Sequence, residues 1–114
     1  MIREFVRMPI FEKQCVSVGL TEDDVMEIEN RIMLNPLLGD MIVGGGGIRK
    51  FRYELPNTGK SGGARVVYID FAYYEKVYLL FAFAKSEADN LTKAETNNLR
   101  KLVKILENEL GKDG

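Results

Sequence analysis

Lys50, Arg52, Lys60, Arg65 and Lys85 are the side chains of this sequence best suited to chemistry. Lys50 and Arg52 stand two residues apart, Arg65 opens the next apolar run, and Lys60 sits in the glycine-rich stretch between them. Fixed cations suit a phosphate: arginine binds it through a planar fork and lysine acts as a compact charge. Applied to RNA, such a cluster can stabilise the charge that develops when a neighbouring 2′-hydroxyl attacks the phosphate. Lysines crowded by other cations have lowered pKa values and can exchange protons near neutrality. From spacing alone, a shared anion site and a set of unrelated solvated side chains both remain open.

The stretch NTGKSGG (residues 57–63) raises a nucleotide-binding loop as an alternative. That loop requires a glycine five positions before Gly59, where this chain has Glu54, and a helix after it. The residues that follow, Ala64-Arg65-Val66-Val67-Tyr68-Ile69, are β-branched, aromatic and strand-like. The nucleotide loop is rejected on both grounds.

Composition narrows the chemistry further. The chain of 114 residues has no histidine and one cysteine, which removes serine–histidine and cysteine–histidine catalysis, an internal disulfide and the usual zinc ligands. Cys15 reads as a small buried hydrophobe. The net charge is −1, unevenly spread. Residues 1–47 hold 4 basic and 8 acidic side chains (net −4), residues 48–66 hold 5 and 1 (net +4), and residues 67–114 hold 7 and 8 (net −1). The positive charge is thus concentrated where the candidate residues lie. No apolar run is long enough to span a bilayer, and MIREFVRMPIFEK carries charge too early and too often for a signal peptide, so a cytoplasmic protein is expected.

The elements that must position these cations follow from periodicity. Residues 4–8 suit a strand and 11–18 a short helix. Thr21 with Asp24 forms a capping box, Val25, Ile28 and Ile32 mark one buried helix face, and Asn35-Pro36 ends that helix. A turn over 36–40 and a glycine run over 44–47 follow. Phe51, Tyr53 and Leu55 alternate with Lys50, Arg52 and Glu54, which predicts a strand with both cations on one face. A second strand is predicted over 65–71, a turn over 73–76 and a third strand over 77–83, apolar on both sides as a central strand would be. Thr92 to Glu95 is a second capping box, and Leu99, Leu102, Val103, Leu106 and Leu110 form the stripe of an amphipathic C-terminal helix. The expected fold is one α+β domain over residues 1–114, with N-terminal helices and a C-terminal helix against a small antiparallel sheet.

The set Leu34-Asn35-Pro36, Gly39-Asp40, Gly44, Gly46-Gly47-Ile48-Arg49-Lys50, Arg52, Gly59-Lys60, Gly62-Gly63, Arg65-Val66-Val67-Tyr68, Tyr78-Leu79-Leu80 and Lys85-Ser86-Glu87 resembles the RelE/HigB-type toxins of bacterial toxin–antitoxin systems, above all the HigB-like branch. The resemblance covers residues 34–91 by motif and the remainder by element order. It implies the RelE/ParE-like fold and a ribosome-dependent endoribonuclease that cuts messenger RNA and inhibits translation. It further implies attack of the 2′-hydroxyl without a metal or other cofactor, leaving a 2′,3′-cyclic phosphate and a 5′-hydroxyl. By the same resemblance Lys50, Arg52, Arg65 and Lys85 are the catalytic residues, and Arg49 and Lys60 contact RNA. The implied partners are the ribosome with its mRNA and a cognate HigA-like antitoxin, with neither DNA nor membrane bound by the toxin itself. Some relatives carry arginine where this chain has Ser86, and many carry Lys-Arg where it has Lys60-Ser61. The acidic overall balance keeps a second class open, a non-catalytic or gyrase-directed (ParE-like) protein-binding module of the same fold.

Overall fold

A computed structural model describes residues 2–55, 63–85 and 90–113. The chain begins with strand β1 (Glu4–Arg7) and helices α1 (Pro9–Val18) and α2 (Glu22–Leu34). Strands β2 (Asp40–Met41), β3 (Arg49–Tyr53), β4 (Ala64–Phe71) and β5 (Lys76–Ala84) follow, and helix α3 (Lys93–Asp113) closes the chain. One turn of 3₁₀ helix, Ala72–Tyr74, joins β4 to β5.

All five strands form one sheet in the order β1-β5-β4-β3-β2. The four strands from β2 to β5 are antiparallel neighbours, as the three-strand reading expected. Two features go beyond that reading. The two-residue β2 pairs with β3 at residues expected to be a turn, and β1 lies parallel to β5, with Glu4 opposite Lys76 and Arg7 opposite Leu79. A parallel pairing between distant segments leaves no local turn signal, so alternation within each strand could not reveal it.

Both faces of the sheet are covered. On one, Phe11 and Cys15 of α1 and Val25, Ile28 and Ile32 of α2 meet Phe51, Tyr53, Val66, Tyr68 and Leu79. On the other, Leu99, Val103 and Leu110 of α3 meet Ile48, Val67, Ile69, Tyr78 and Leu80. Burial on two faces is why β5 reads as continuously apolar. A β-bulge interrupts its ladder: Val67 faces Phe81 whereas Tyr68 faces Leu79, leaving Leu80 as an extra residue. The bulge reverses the facing of the rest of β5, so that Phe81 and Phe83 join Val67 and Arg65 on the α3 side.

The capping box at α2 forms as its spacing predicts. The Asp24 N–H donates to Thr21 Oγ1 (3.1 Å), and the Thr21 N–H donates to Asp24 Oδ2 (2.9 Å). The buried Tyr53 of β3 adds a bond by donating its hydroxyl to Asp24 Oδ1 (2.8 Å), which ties helix start to sheet. Thr21's backbone N–H, supported by the hydroxyls of Tyr53 and Thr21, holds the Asp24 carboxyl below the usual carboxylate range. A lowered folded-state pKa contributes stability that is complete above the unfolded value of about 3.9 and is lost as pH falls through the folded value. Asp24→Ala removes the carboxylate half of the capping box and leaves the Tyr53 hydroxyl without its partner, a cost of about 1–3 kcal/mol. In urea unfolding the difference between wild type and variant should be full at neutral pH and shrink on acidification. An unchanged difference across that range would contradict the assignment.

The turn after α2 is fixed against β3. The Tyr68 hydroxyl lies 2.9 and 2.7 Å from the carbonyl oxygens of Pro36 and Leu38, and Arg49 Nη2 donates to Gly39 O (2.9 Å). At Gly39 the backbone of the turn passes so close to β3 that an added Cβ would overlap the Lys50 carbonyl. Lys50 therefore projects from a strand anchored from below.

Candidate functional site

Register places the cations. In the β3–β4 ladder Arg52 lies directly opposite Arg65 and Lys50 opposite Val67, and Arg65 lies opposite Phe83 in the β4–β5 ladder. Directly opposed residues share a face, so Lys50, Arg52, Arg65, Phe81 and Phe83 line one surface on the α3 side of the sheet. Lys85 follows β5, and its N–H donates to Gly63 O (3.1 Å), which keeps it beside the start of β4 and therefore near Arg65.

Two arginines facing each other across a ladder are mutually repulsive. Arg52 is half-exposed, and its Nε lies 3.6 Å from Glu54 Oε1 on the same strand. Arg65 is set deeper. Its Nη1 is buried and meets no hydrogen-bond partner among the described residues. A buried donor of a charged group left unpaired costs more than an ordinary lost hydrogen bond, and the accessible remainder of the guanidinium is the part that can meet an anion above the strand. The ring of Phe83, half-buried on the same surface and 6.2 Å from that of Phe81, supplies an apolar flank. The arrangement can hold a phosphate between Arg65 and Arg52, with lysine ammonium groups alongside.

Lys50 Nζ donates to Asn90 Oδ1, a contact that links β3 to the residues entering α3. Arg49 lies on the opposite face, where its guanidinium donates to the Leu38 and Gly39 carbonyls, away from the other cations. Lys60 and most of the glycine-lysine loop lie outside the described residues. Cys15 is buried against the α1–α2 layer, and desolvation pushes its thiol up to about 11. It is unsuited to nucleophilic work at neutral pH.

Sequence reasoning missed Phe81, Phe83 and Asn90 as members of this surface. The aromatic pair had a signal in its spacing, but its facing depends on the bulge. Asn90 had none, because its contact with Lys50 spans 40 residues of chain.

Comparison with known proteins agrees with this architecture. A double arginine-to-alanine mutant of the E. coli toxin RelE, solved in the free state, superposes with a TM-score of 0.57 at 14% sequence identity, covering 78% of this chain and 90% of that one. At that identity the likeness establishes the fold. The family model of the RelE toxin of the RelE/RelB toxin–antitoxin system matches residues 7–113, nearly the whole chain. Together with the α+β architecture, this match shows that the chain belongs to the RelE toxin family.

Proposed function

We propose that this protein is a ribosome-dependent endoribonuclease that cuts messenger RNA by attack of a 2′-hydroxyl on the adjacent phosphate. The observation that carries the reading is the register that sets Arg65 opposite Arg52 across the β3–β4 ladder, with Lys50 on the same face and Lys85 tied beside the start of β4. In the step proposed, the bond from the 2′-oxygen to phosphorus forms and the bond to the 5′-oxygen breaks. The 2′-hydroxyl loses its proton and the departing 5′-oxygen gains one. Arg65 and Arg52 stabilise the added charge on the phosphorane, since arginine keeps its charge throughout. Lys50 and Lys85 move the protons, as the cations of this surface other than the arginines that hold the charge. Lys60 and Arg49 contact RNA in the family resemblance; Arg49 would do so from the opposite face of the sheet, where its guanidinium donates to the Leu38 and Gly39 carbonyls.

The proposed partner is a cognate antitoxin of the HigA-like kind, acting with this toxin in the cytoplasm. An unopposed nuclease of this type would arrest its own host. Among the described residues no helix is long and apolar enough to cross a membrane.

Induced expression without an antitoxin should arrest translation and leave messages cut within codons, as read by primer extension. Lys50→Arg and Lys85→Arg should slow cleavage, because arginine keeps its proton where the proposed step needs one transferred. Growth arrest with intact transcripts would overturn the nuclease in favour of the non-catalytic or gyrase-directed module.

A further inference from the structure

Beside Lys50 a cleft of about 360 Å³ opens between the segment that follows β2 and the start of α3. This volume lies within the range of about 300–1,000 Å³ usual for small-ligand pockets. Met41, Ile42 and Val43 form one wall and Leu91 the other. Both walls are held in place. The Ile42 N–H donates to Ile48 O (3.0 Å) and the Gly45 N–H to Ile42 O (3.1 Å), while the Thr92–Glu95 capping box fixes the first turn of α3. Val43 is 95% exposed and Met41 62% exposed, so apolar side chains stand uncovered next to a cation. A flat apolar group attached to a phosphate satisfies both.

The polar groups of the cleft are Asn90 and Thr96. Lysine has donors only, so its bond to Asn90 fixes the amide with the oxygen toward Lys50 and the NH₂ turned away. This leaves the NH₂ as the part of Asn90 able to donate to a ligand in the cleft.

We infer that this cleft holds the nucleobase next to the scissile phosphate and selects a keto base, guanine or uracil, over an amino base, adenine or cytosine. The inference rests on the nuclease reading above. Unstacked bases are recognised by apolar contact on their faces and hydrogen bonds on their edges. The Asn90 NH₂ meets the O6 of guanine or the O4 of uracil, where adenine and cytosine place an amino group of their own. The Thr96 hydroxyl supplies a second, adaptable contact.

The test maps the 5′ ends of messages cut by the full-length chain and counts bases on either side of the cut. Wild type should favour keto bases at one flanking position by roughly threefold to tenfold, the range of one net hydrogen bond. Asn90→Asp keeps an oxygen for Lys50 but replaces the outward donor with an acceptor, and it should turn the preference toward adenine and cytosine. Thr96→Val, which removes the hydroxyl at similar volume, should narrow the preference. Cleavage with no keto preference, or with the same pattern in Asn90→Asp as in wild type, overturns the base site alone. Absence of any cutting by wild type overturns the nuclease reading itself.

Discussion

Arg65→Ala lowers the rate of RNA cleavage by more than about tenfold, a loss of roughly 2–4 kcal/mol of transition-state stabilisation by analogy with removal of an oxyanion donor. The expectation follows from the position of the guanidinium rather than from its charge alone. Arg52, on the same surface, is half-exposed and beside Glu54, so its charge is shared with a carboxylate and screened by water. Arg65 is half-buried, with one nitrogen sealed from solvent and no hydrogen-bond partner for it among the described residues. In the proposed mechanism the accessible part of this guanidinium meets the charge that appears as the phosphorane forms. Arg65→Lys should recover only part of the rate, because an ammonium cannot reproduce the bidentate fork. Single-turnover cleavage on translating ribosomes, with circular dichroism to verify folding, gives the comparison. An Arg65→Ala protein that is folded and cuts at the wild-type rate would remove Arg65 from the mechanism.

Gly63→Ala destabilises the fold on the order of 3 kcal/mol. Gly63 has φ +74°, a conformation L side chains rarely adopt, and a Cβ built there would lie 2.3 Å from the Tyr53 carbonyl oxygen and 2.9 Å from Glu54 Cα. Those neighbours are backbone and cannot swing aside. The variant must shift either the end of β3 or the start of β4, where Arg52 and Arg65 face each other. Because Gly63 also accepts the Lys85 N–H, the same shift should reduce cleavage. Chemical denaturation measures the first effect, and equal midpoints for wild type and variant would show that the close approach is not rigid.

The parts of the fold governed by local periodicity were legible in the sequence. Capping boxes at Thr21 and Thr92, the stop at Asn35-Pro36 and the stripe of α3 are set by spacings of three or four residues, and all form. The facing of Lys50 with Arg52 was legible for the same reason. Opposition of Arg52 to Arg65 needs a register, which depends on the length of the loop between the strands and is not carried by either strand's pattern. The position of Phe83 depends on one extra residue in β5, and that of Asn90 on a contact between segments remote in sequence. Arg49 illustrates the limit most simply. A basic residue adjoining two others looks like a member of their group, yet the alternation of a strand sends it to the other face, where backbone carbonyls receive it.

Because β1 pairs with β5, the N-terminal strand of this sheet waits for its C-terminal one. Glu4 meets Lys76, and no ladder can form at β1 until the ribosome has passed that codon. Pairings of such long sequence separation form late, and the strand edges stay bare meanwhile. An interrupted chain ending before Lys76 has β3 and β4 but lacks Phe83 and Lys85, and its β1 has nothing to join. A chain cut short there therefore cannot assemble the β5 side of the cationic surface.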